Sequence, residues 1–96
     1  DLQYIIRSFD KSENKSIRLA NREKHVEYVK NQSVKLLLAG PLVNDQTGDP
    51  IGTLLIVEAD ERSDVENYAE NDPYNKAGLF KETQITAINI TVANLS

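Results

Sequence analysis

Hydrophobic and polar positions change period several times along the chain, and each change marks a predicted element. Residues 2–9 alternate and are rich in β-branched and aromatic side chains, so they predict a first strand. The polar residues 10–14 that follow predict a loop. The alternation places Tyr4 and Ile6 on one face of the strand and Ile5 and Phe9 on the other.

The next segment, from about Ser16 to Asn31, has the period of an amphipathic helix. We expect Ser12 or Asn14 to cap its start. Leu19, Arg22, Val26 and Val29 form a stripe at helical spacing, with charges on the remaining positions. Residues three or four apart are neighbours on a helix, so Arg18, Arg22, His25 and Val29 share one edge.

Two short apolar runs in the middle of the chain predict a β-hairpin. Residues 34–39 and 53–57 are too short for buried helices, and residues 44–50 between them are rich in Asn, Asp, Gly and Pro. Pro41 has no N–H for a sheet ladder, so we expect the first of these strands to fray, bend or bulge there.

A second helix and a final strand complete the pattern. Residues 60–71 show helical spacing, with Asp or Ser at the start as the expected cap. Residues 83–92 alternate and predict a strand. The apolar positions that define these two elements are Val65, Tyr68 and Ala69 in the helix and Ile88, Ile90 and Val92 in the strand.

The predicted order β-α-β-β-α-β is the split βαβ pattern of ferredoxin-like α+β folds. Right-handed crossovers place both helices on one face of a four-stranded antiparallel sheet. The 96 residues, 40% of them hydrophobic, suit a single domain over residues 1–96. Residues 36–38 and 54–57 are apolar on both faces, which two helices cannot cover. We therefore expect a homodimer that packs sheet against sheet.

Composition excludes several classes of function. The net charge of −4 argues against a nucleic-acid surface, which needs a basic excess. The absence of cysteine excludes disulfides and thiolate catalysis, and one histidine makes a dedicated metal site improbable. We expect no metal and no cofactor. Apolar runs of at most four residues predict no membrane span, and with no leader visible we expect a cytoplasmic protein.

Asp72 and the residues after it lie between the second helix and the last strand, and two interpretations compete there. In the first, Asp72 caps a short helical turn and Pro73 takes its first position, where a missing N–H costs nothing. In the second, Asp72 is the carboxylate that orients His25. Such a pair has no nucleophile of its own, so the implied chemistry is proton transfer: abstraction next to a carbonyl or phenol, isomerisation, or elimination.

Four other residues are candidates for binding a small organic substrate. Arg22 is suited to hold a carboxylate or enolate. Gly40 and Pro41 would let a ligand approach the backbone, and Tyr74 would donate a hydroxyl or form a wall. Structural roles compete with each of these: a solvated helix charge for Arg22, a strand end for Gly40 and Pro41, and core or dimer packing for Tyr74.

Three segments together resemble the YciI-like family of the dimeric α+β barrel superfamily. They are Arg22-Glu23-Lys24-His25, Leu38-Ala39-Gly40-Pro41-Leu42, and Asp72-Pro73-Tyr74-Asn75-Lys76-Ala77-Gly78-Leu79. The resemblance covers almost the whole chain. It implies a ferredoxin-like protomer that dimerises through its sheets, and a pocket in which His25, Asp72 and Arg22 match the family's histidine, aspartate and basic residue.

The resemblance also implies a kind of activity. One related group includes a dehydrochlorinase for a chlorinated hydroxyquinol, and wider relatives isomerise lactones or oxidise polyketides without a metal. Here Ser33 replaces an expected turn glycine and Ser8-Phe9-Asp10 ends the first strand, which would alter the shape of the pocket. The hypothesis is a small cofactor-free isomerase, lyase or dehydrochlorinase. The alternative is a non-catalytic ligand-binding or accessory module on the same dimer.

Overall fold

The computed structural model describes residues 2–95 and has the predicted order of elements. The strands lie in the order β2-β3-β1-β4, and every neighbouring pair is antiparallel. This is the ferredoxin-like α+β fold, as predicted. The elements are β1 (Leu2–Asp10), α1 (Lys15–Lys30), β2 (Lys35–Val43), β3 (Pro50–Ala59), α2 (Arg62–Glu70), α3 (Pro73–Lys76) and β4 (Phe80–Ile88).

The core lies between the helices and one face of the sheet. On β1, Tyr4 pairs with Val57 and Ile6 with Leu55, and side chains opposite each other share a face. Val57 is completely buried, as is Val65 of α2. The remaining members of this buried cluster are Val29, Val34 and Tyr68.

The other face of the sheet carries the second set of apolar side chains. Ile56 of β3 pairs with Ile5 on one side and with Leu38 on the other. These three side chains are only partly buried in the protomer, as is Leu54. The two-sided hydrophobicity of the central strands therefore leaves a half-exposed apolar face opposite the helices.

The last strand differs from its predicted bounds at both ends. β4 begins at Phe80, which pairs with Asp10 across a bulge, and ends at Ile88, which pairs with Gln3. The ladder with β1 ends at that pair, and residues 89–95 are not strand despite the alternation of Ile90 and Val92.

β2 also differs from its prediction. It continues through Gly40 and Pro41 to Val43, and Pro41 pairs with Thr53. β2 is an edge strand, where a residue without an N–H is tolerated. The register shifts instead between Leu36 and Leu38, and again after Leu42.

Helix α1 turns a different stripe to the core than the one predicted. Leu19 is 81% exposed, whereas Arg18, His25 and Val29 are buried. Asn14 stands at the cap position, yet its side chain bonds Asp10 and the Pro50 carbonyl rather than the helix. The cap expected at the start of α2 is also wrong: Glu61 stands there, and its side chain makes no capping bond. Within residues 2–95, no helix has the length and hydropathy needed to cross a membrane.

Candidate active site

Asp72 begins the short helix α3, and its carboxylate has two roles at once. Oδ1 accepts the backbone N–H of Tyr74 at 2.9 Å, which caps the helix, and Pro73 takes the first helical position. The same carboxylate contacts the imidazole of His25. Asp72 is only 3% exposed. The carboxylate therefore caps α3 and contacts the histidine at the same time.

His25 lies on α1 and is 7% exposed. Its Nδ1 is 2.8 Å from Asp72 Oδ1 and 3.0 Å from Oδ2. Because an ionised carboxylate only accepts hydrogen bonds, we assign the proton of the neutral imidazole to Nδ1, which leaves the lone pair on Nε2. Among the described residues Nε2 has no hydrogen-bond partner, and no buried side-chain nitrogen or oxygen lacks one, so Nε2 has access to solvent.

That access leads into a groove of about 700 Å³ between α1, the edge strand β2 and the start of β3. Asp72 lies behind His25 and does not line it. The other five residues predicted for the site all do: Arg22, His25, Gly40, Pro41 and Tyr74.

Arg22 and Gly40 line the groove in particular ways. Arg22 is exposed, and the structure gives it no ion pair among the described residues, so its charge remains available to a ligand. Gly40 contributes its backbone. It pairs with Leu54 on the sheet face away from the helices, and a Cβ added to Gly40 would meet nothing within 4 Å.

Tyr74 fixes the plane of the imidazole. Its ring is stacked on that of His25 with centroids 4.1 Å apart and an interplanar angle of 11°. Phe80 meets the phenol ring edge-on at 6.0 Å. Burial raises the pKa of the Tyr74 hydroxyl, and the negative charge of Asp72 adds to this, while Arg18 and Arg22 act in the opposite direction.

A buried ion pair in the site was missed at the sequence level. Asp10 was placed in a polar loop, and Arg18 was noted only as a charge near His25. Arg18 Nε is 2.6 Å from Asp10 Oδ2, and Nη2 is 3.1 Å from Oδ1. Nη2 also donates to the Gly52 carbonyl and to Thr53 Oγ1. The only signals were that Asp10 continues the inward-facing alternation of β1 and that Arg18 shares an edge with His25.

Basic side chains predominate around the groove. Lys15, Arg18, Arg22 and Lys30 line it together with one acid, Asp49; Lys15 lies 3.7 Å from Asp49 and Arg18 is paired with Asp10, so Arg22 and Lys30 carry the excess of positive charge. The excess of positive charge favours a ligand with an anionic oxygen. Within residues 2–95 no three His, Cys, Asp or Glu side chains come together as a set of metal ligands.

Comparison with known proteins identifies the family. The sequence model of the YCII-related domain matches residues 2–89. The chain belongs to the YCII-related domain family. Among curated proteins, none matches this YCII-related chain.

Solved structures share its fold. The 5-chloro-2-hydroxyhydroquinone dehydrochlorinase TftG from Burkholderia phenoliruptrix AC1100, in complex with 2,5-dihydroxybenzoquinone, has a TM-score of 0.80 and is 32% identical, over 88% of this chain and 90% of that one. A second structure is that of a protein from Nitrosomonas europaea named as an antibiotic biosynthesis monooxygenase. It has a TM-score of 0.55 at 15% identity, over 96% of this YCII-related chain and the whole of its own.

A NIPSNAP domain protein from Burkholderia xenovorans has a TM-score of 0.57 at 11% identity, and each chain is covered completely. At such low identity, the last two likenesses concern the fold alone. The likeness to TftG, at 32% identity, extends to the sequence.

Proposed function

We propose that this YCII-related protein is a small enzyme that moves a proton on a small, oxygenated organic substrate, with His25 as the acid/base group. One observation carries the proposal: Nδ1 of His25 is held by Asp72 while Nε2 has access to the groove. A neutral imidazole in that tautomer accepts a proton at Nε2 and returns it later. The carboxylate behind it stabilises the imidazolium that forms in between.

The likeness to TftG supports an elimination or isomerisation. Loss of hydrogen chloride from a chlorinated, hydroxylated ring takes two proton transfers: one O–H proton moves to the carbon that bears chlorine, and a second O–H proton is lost as chloride leaves with the C–Cl electrons. The electrons of the two broken O–H bonds form two carbonyls, and a ring π pair forms the new C–H bond. One acid/base group serves such a step, and the chain provides one histidine for it. A proton-transfer residue of this kind contributes about 10²–10⁴-fold to the rate.

The charge of the groove suggests the substrate class. Arg22 has no ion-pair partner among the described residues and lies one turn before His25 on α1, where it is placed to hold an enolate, phenolate or carboxylate oxygen. Gly40 and Pro41 form the opposite wall, and Tyr74 adds an aromatic surface. We infer a compact ring compound with an anionic oxygen as the ligand.

We also propose that the protein is a homodimer through the sheet face that carries Ile5, Leu38, Leu54 and Ile56. These side chains are adjacent in the register and only partly buried in the protomer. Contiguous apolar surface of this kind is uncommon on soluble monomers.

The proposal is tested by a substrate screen with chlorinated hydroxyquinols and small lactones. We expect turnover by the wild type and a loss of about 10²-fold or more in kcat for His25→Ala. Lys24→Ala, an exposed change at the neighbouring position, is the control. Binding of 2,5-dihydroxybenzoquinone by calorimetry separates the alternative of a non-catalytic module: tight binding with equal, negligible turnover by wild type and His25→Ala would refute the catalytic role.

A further inference from the structure

A continuous series of contacts connects the first strand to His25. Asp10 ends β1, is 8% exposed, and holds Arg18 through both of its oxygens. The carbonyl of Gly52 and the hydroxyl of Thr53 fix the same guanidinium from β3. Arg18 is therefore tied to two neighbouring strands of the sheet, and four hydrogen bonds hold its guanidinium.

Arg18 in turn contacts Tyr74. Its Cζ lies 5.0 Å from the centre of the phenol ring, within the range of a cation–π contact. The four hydrogen bonds that hold the guanidinium use Nε and Nη2, and Nη1 takes part in none of them. Tyr74 is 3% exposed and has Phe80 against its edge. The phenol ring is therefore held by a group that is itself fixed to the sheet.

Tyr74 covers one face of the His25 ring, while Asp72 contacts its edge at Nδ1. The contact with Asp72 requires one orientation of the ring, because rotation about χ2 carries Nδ1 away from the carboxylate. A parallel ring 4.1 Å away restricts that rotation. Asp72 sets the tautomer of His25, and the stacked Tyr74 ring helps to keep Nδ1 against the carboxylate and Nε2 in its direction.

We propose that Arg18, held by Asp10, is a positioning residue: through Tyr74 it keeps the imidazole of His25 in a single tautomer with Nε2 directed into the groove. The inference rests on the proposed acid/base function of His25. A plain structural ion pair would tie α1 to the sheet equally well, but it would not need to contact the ring that stacks on the histidine. Displacement of a reacting group by about 1 Å can cost about 10²-fold in rate.

The first experiment follows the tautomer in the ligand-free protein by nitrogen NMR of the imidazole. The chain has one histidine, so its ring signals need no assignment. We expect the wild type and Tyr74→Phe, which keeps the ring, to show the Nδ1–H tautomer alone. Tyr74→Leu and Arg18→Lys are expected to show exchange between both tautomers. Leucine removes the stacked ring, and lysine cannot reproduce the bidentate contact with Asp10.

The second experiment is kinetic. We expect Arg18→Lys to lower kcat about tenfold or more and to change KM less than about twofold, since the residue acts through His25 rather than on the substrate. The exposed Lys24→Gln is the control. If Arg18→Lys does not fold, the pair Asp10→Asn with Arg18→Gln leaves no unpaired buried charge and takes its place in both measurements.

These experiments can succeed or fail independently of the test of the proposed function. A tautomer that responds to Arg18→Lys and to Tyr74→Leu, but not to Tyr74→Phe, supports the positioning role even if no substrate is turned over. A single unchanged tautomer together with unchanged kcat in Arg18→Lys overturns it, and Arg18 is then a structural residue only.

Discussion

One carboxylate oxygen of Asp72 lies 2.8 Å from Nδ1 of His25 and 2.9 Å from the backbone nitrogen of Tyr74. The residue that starts a helix is thus also the partner of the histidine. Asparagine retains an oxygen that caps a helix but has no negative charge to stabilise an imidazolium.

For Asp72→Asn we accordingly expect a folded protein whose free energy of unfolding changes by about 1 kcal/mol or less. Its kcat should fall by about 10²-fold, because the imidazolium is no longer stabilised. Denaturant unfolding and steady-state kinetics measure the two effects, with Asp45→Asn in the exposed hairpin loop as the matched change. Wild-type kcat in Asp72→Asn would show that the carboxylate has no catalytic role.

We expect the ion pair of Asp10 and Arg18 to contribute more to the free energy of unfolding than an exposed ion pair does. Both residues are buried, so Asp10→Asn leaves a guanidinium without its counter-ion. We expect this change to lower the free energy of unfolding by about 3 kcal/mol. Glu66→Gln is the matched control, because Glu66 meets Arg62 in an exposed pair whose side chains are 57% and 50% accessible. That change should cost less than about 0.5 kcal/mol in denaturant unfolding. An equal loss of unfolding free energy in Asp10→Asn and Glu66→Gln would contradict the larger contribution expected of the buried pair.

Tyr68 should make the protein sensitive to alkali. Its hydroxyl is buried and donates to the Val29 carbonyl at 2.8 Å. Burial raises its pKa above the ordinary value of 10.0, and the charges of Asp72 and Tyr28 act in the same direction. The raised pKa means that folding favours the neutral phenol, so this stabilisation is complete below about pH 10 and is lost as the pH rises through the folded-state pKa.

We expect the free energy of unfolding in urea to fall between pH 10 and 11 more steeply for the wild type than for Tyr68→Phe. At pH 7 the variant should be about 1 kcal/mol less stable, because it lacks the hydrogen bond to the buried carbonyl. Parallel pH profiles for the two proteins would refute the contribution of Tyr68.

Gly52 and Gly40 should respond in opposite ways to alanine. A Cβ on Gly52 would lie 2.4 Å from the backbone oxygen of Ser8, so β1 and β3 would have to separate. We expect Gly52→Ala to lower the free energy of unfolding by about 2 kcal/mol or more. Gly40→Ala, which meets nothing within 4 Å, should change stability by less than about 0.5 kcal/mol. Thermal unfolding of both variants decides the comparison.

The proposed dimer has a direct test. Ile56 is at the centre of the apolar sheet face, between Ile5 and Leu38. Light scattering at micromolar concentration should give a dimer for the wild type and a monomer for Ile56→Lys, because a buried ammonium without a partner is costly. Ala20→Lys, on the exposed side of α1, should remain dimeric. A monomeric wild type would contradict this interface.

The order of elements was predictable because each element has its own hydrophobic period. Tyr4 and Ile6 alternate in β1 as expected, and both are buried. The errors arose where tertiary pairing overrides the local pattern. Ile90 continues the alternation of β4, but the ladder ends where Ile88 pairs with Gln3, so periodicity alone could not locate the end of the strand.

The site was predictable to the extent that it depends on motifs. Asp72, Pro73 and Tyr74 are adjacent in the sequence, and their local geometry follows from capping chemistry. The pairing of Asp10 with Arg18 does not, because it depends on how β1, α1 and β3 pack. From the sequence, a charged residue such as Asp10 predicts an exposed position. Its burial can be inferred only when the residue that supplies the opposite charge is known.

One wall of the groove is β2, the strand that pairs with a neighbour on one side only. Ala39 and Pro41 on that strand line the groove and are exposed, and neither belongs to the buried cluster around Val57 and Val65. Substitutions there would reshape the cavity at little cost to folding. The shape of the groove can therefore vary while the contact between His25 on α1 and Asp72 at the start of α3 is kept.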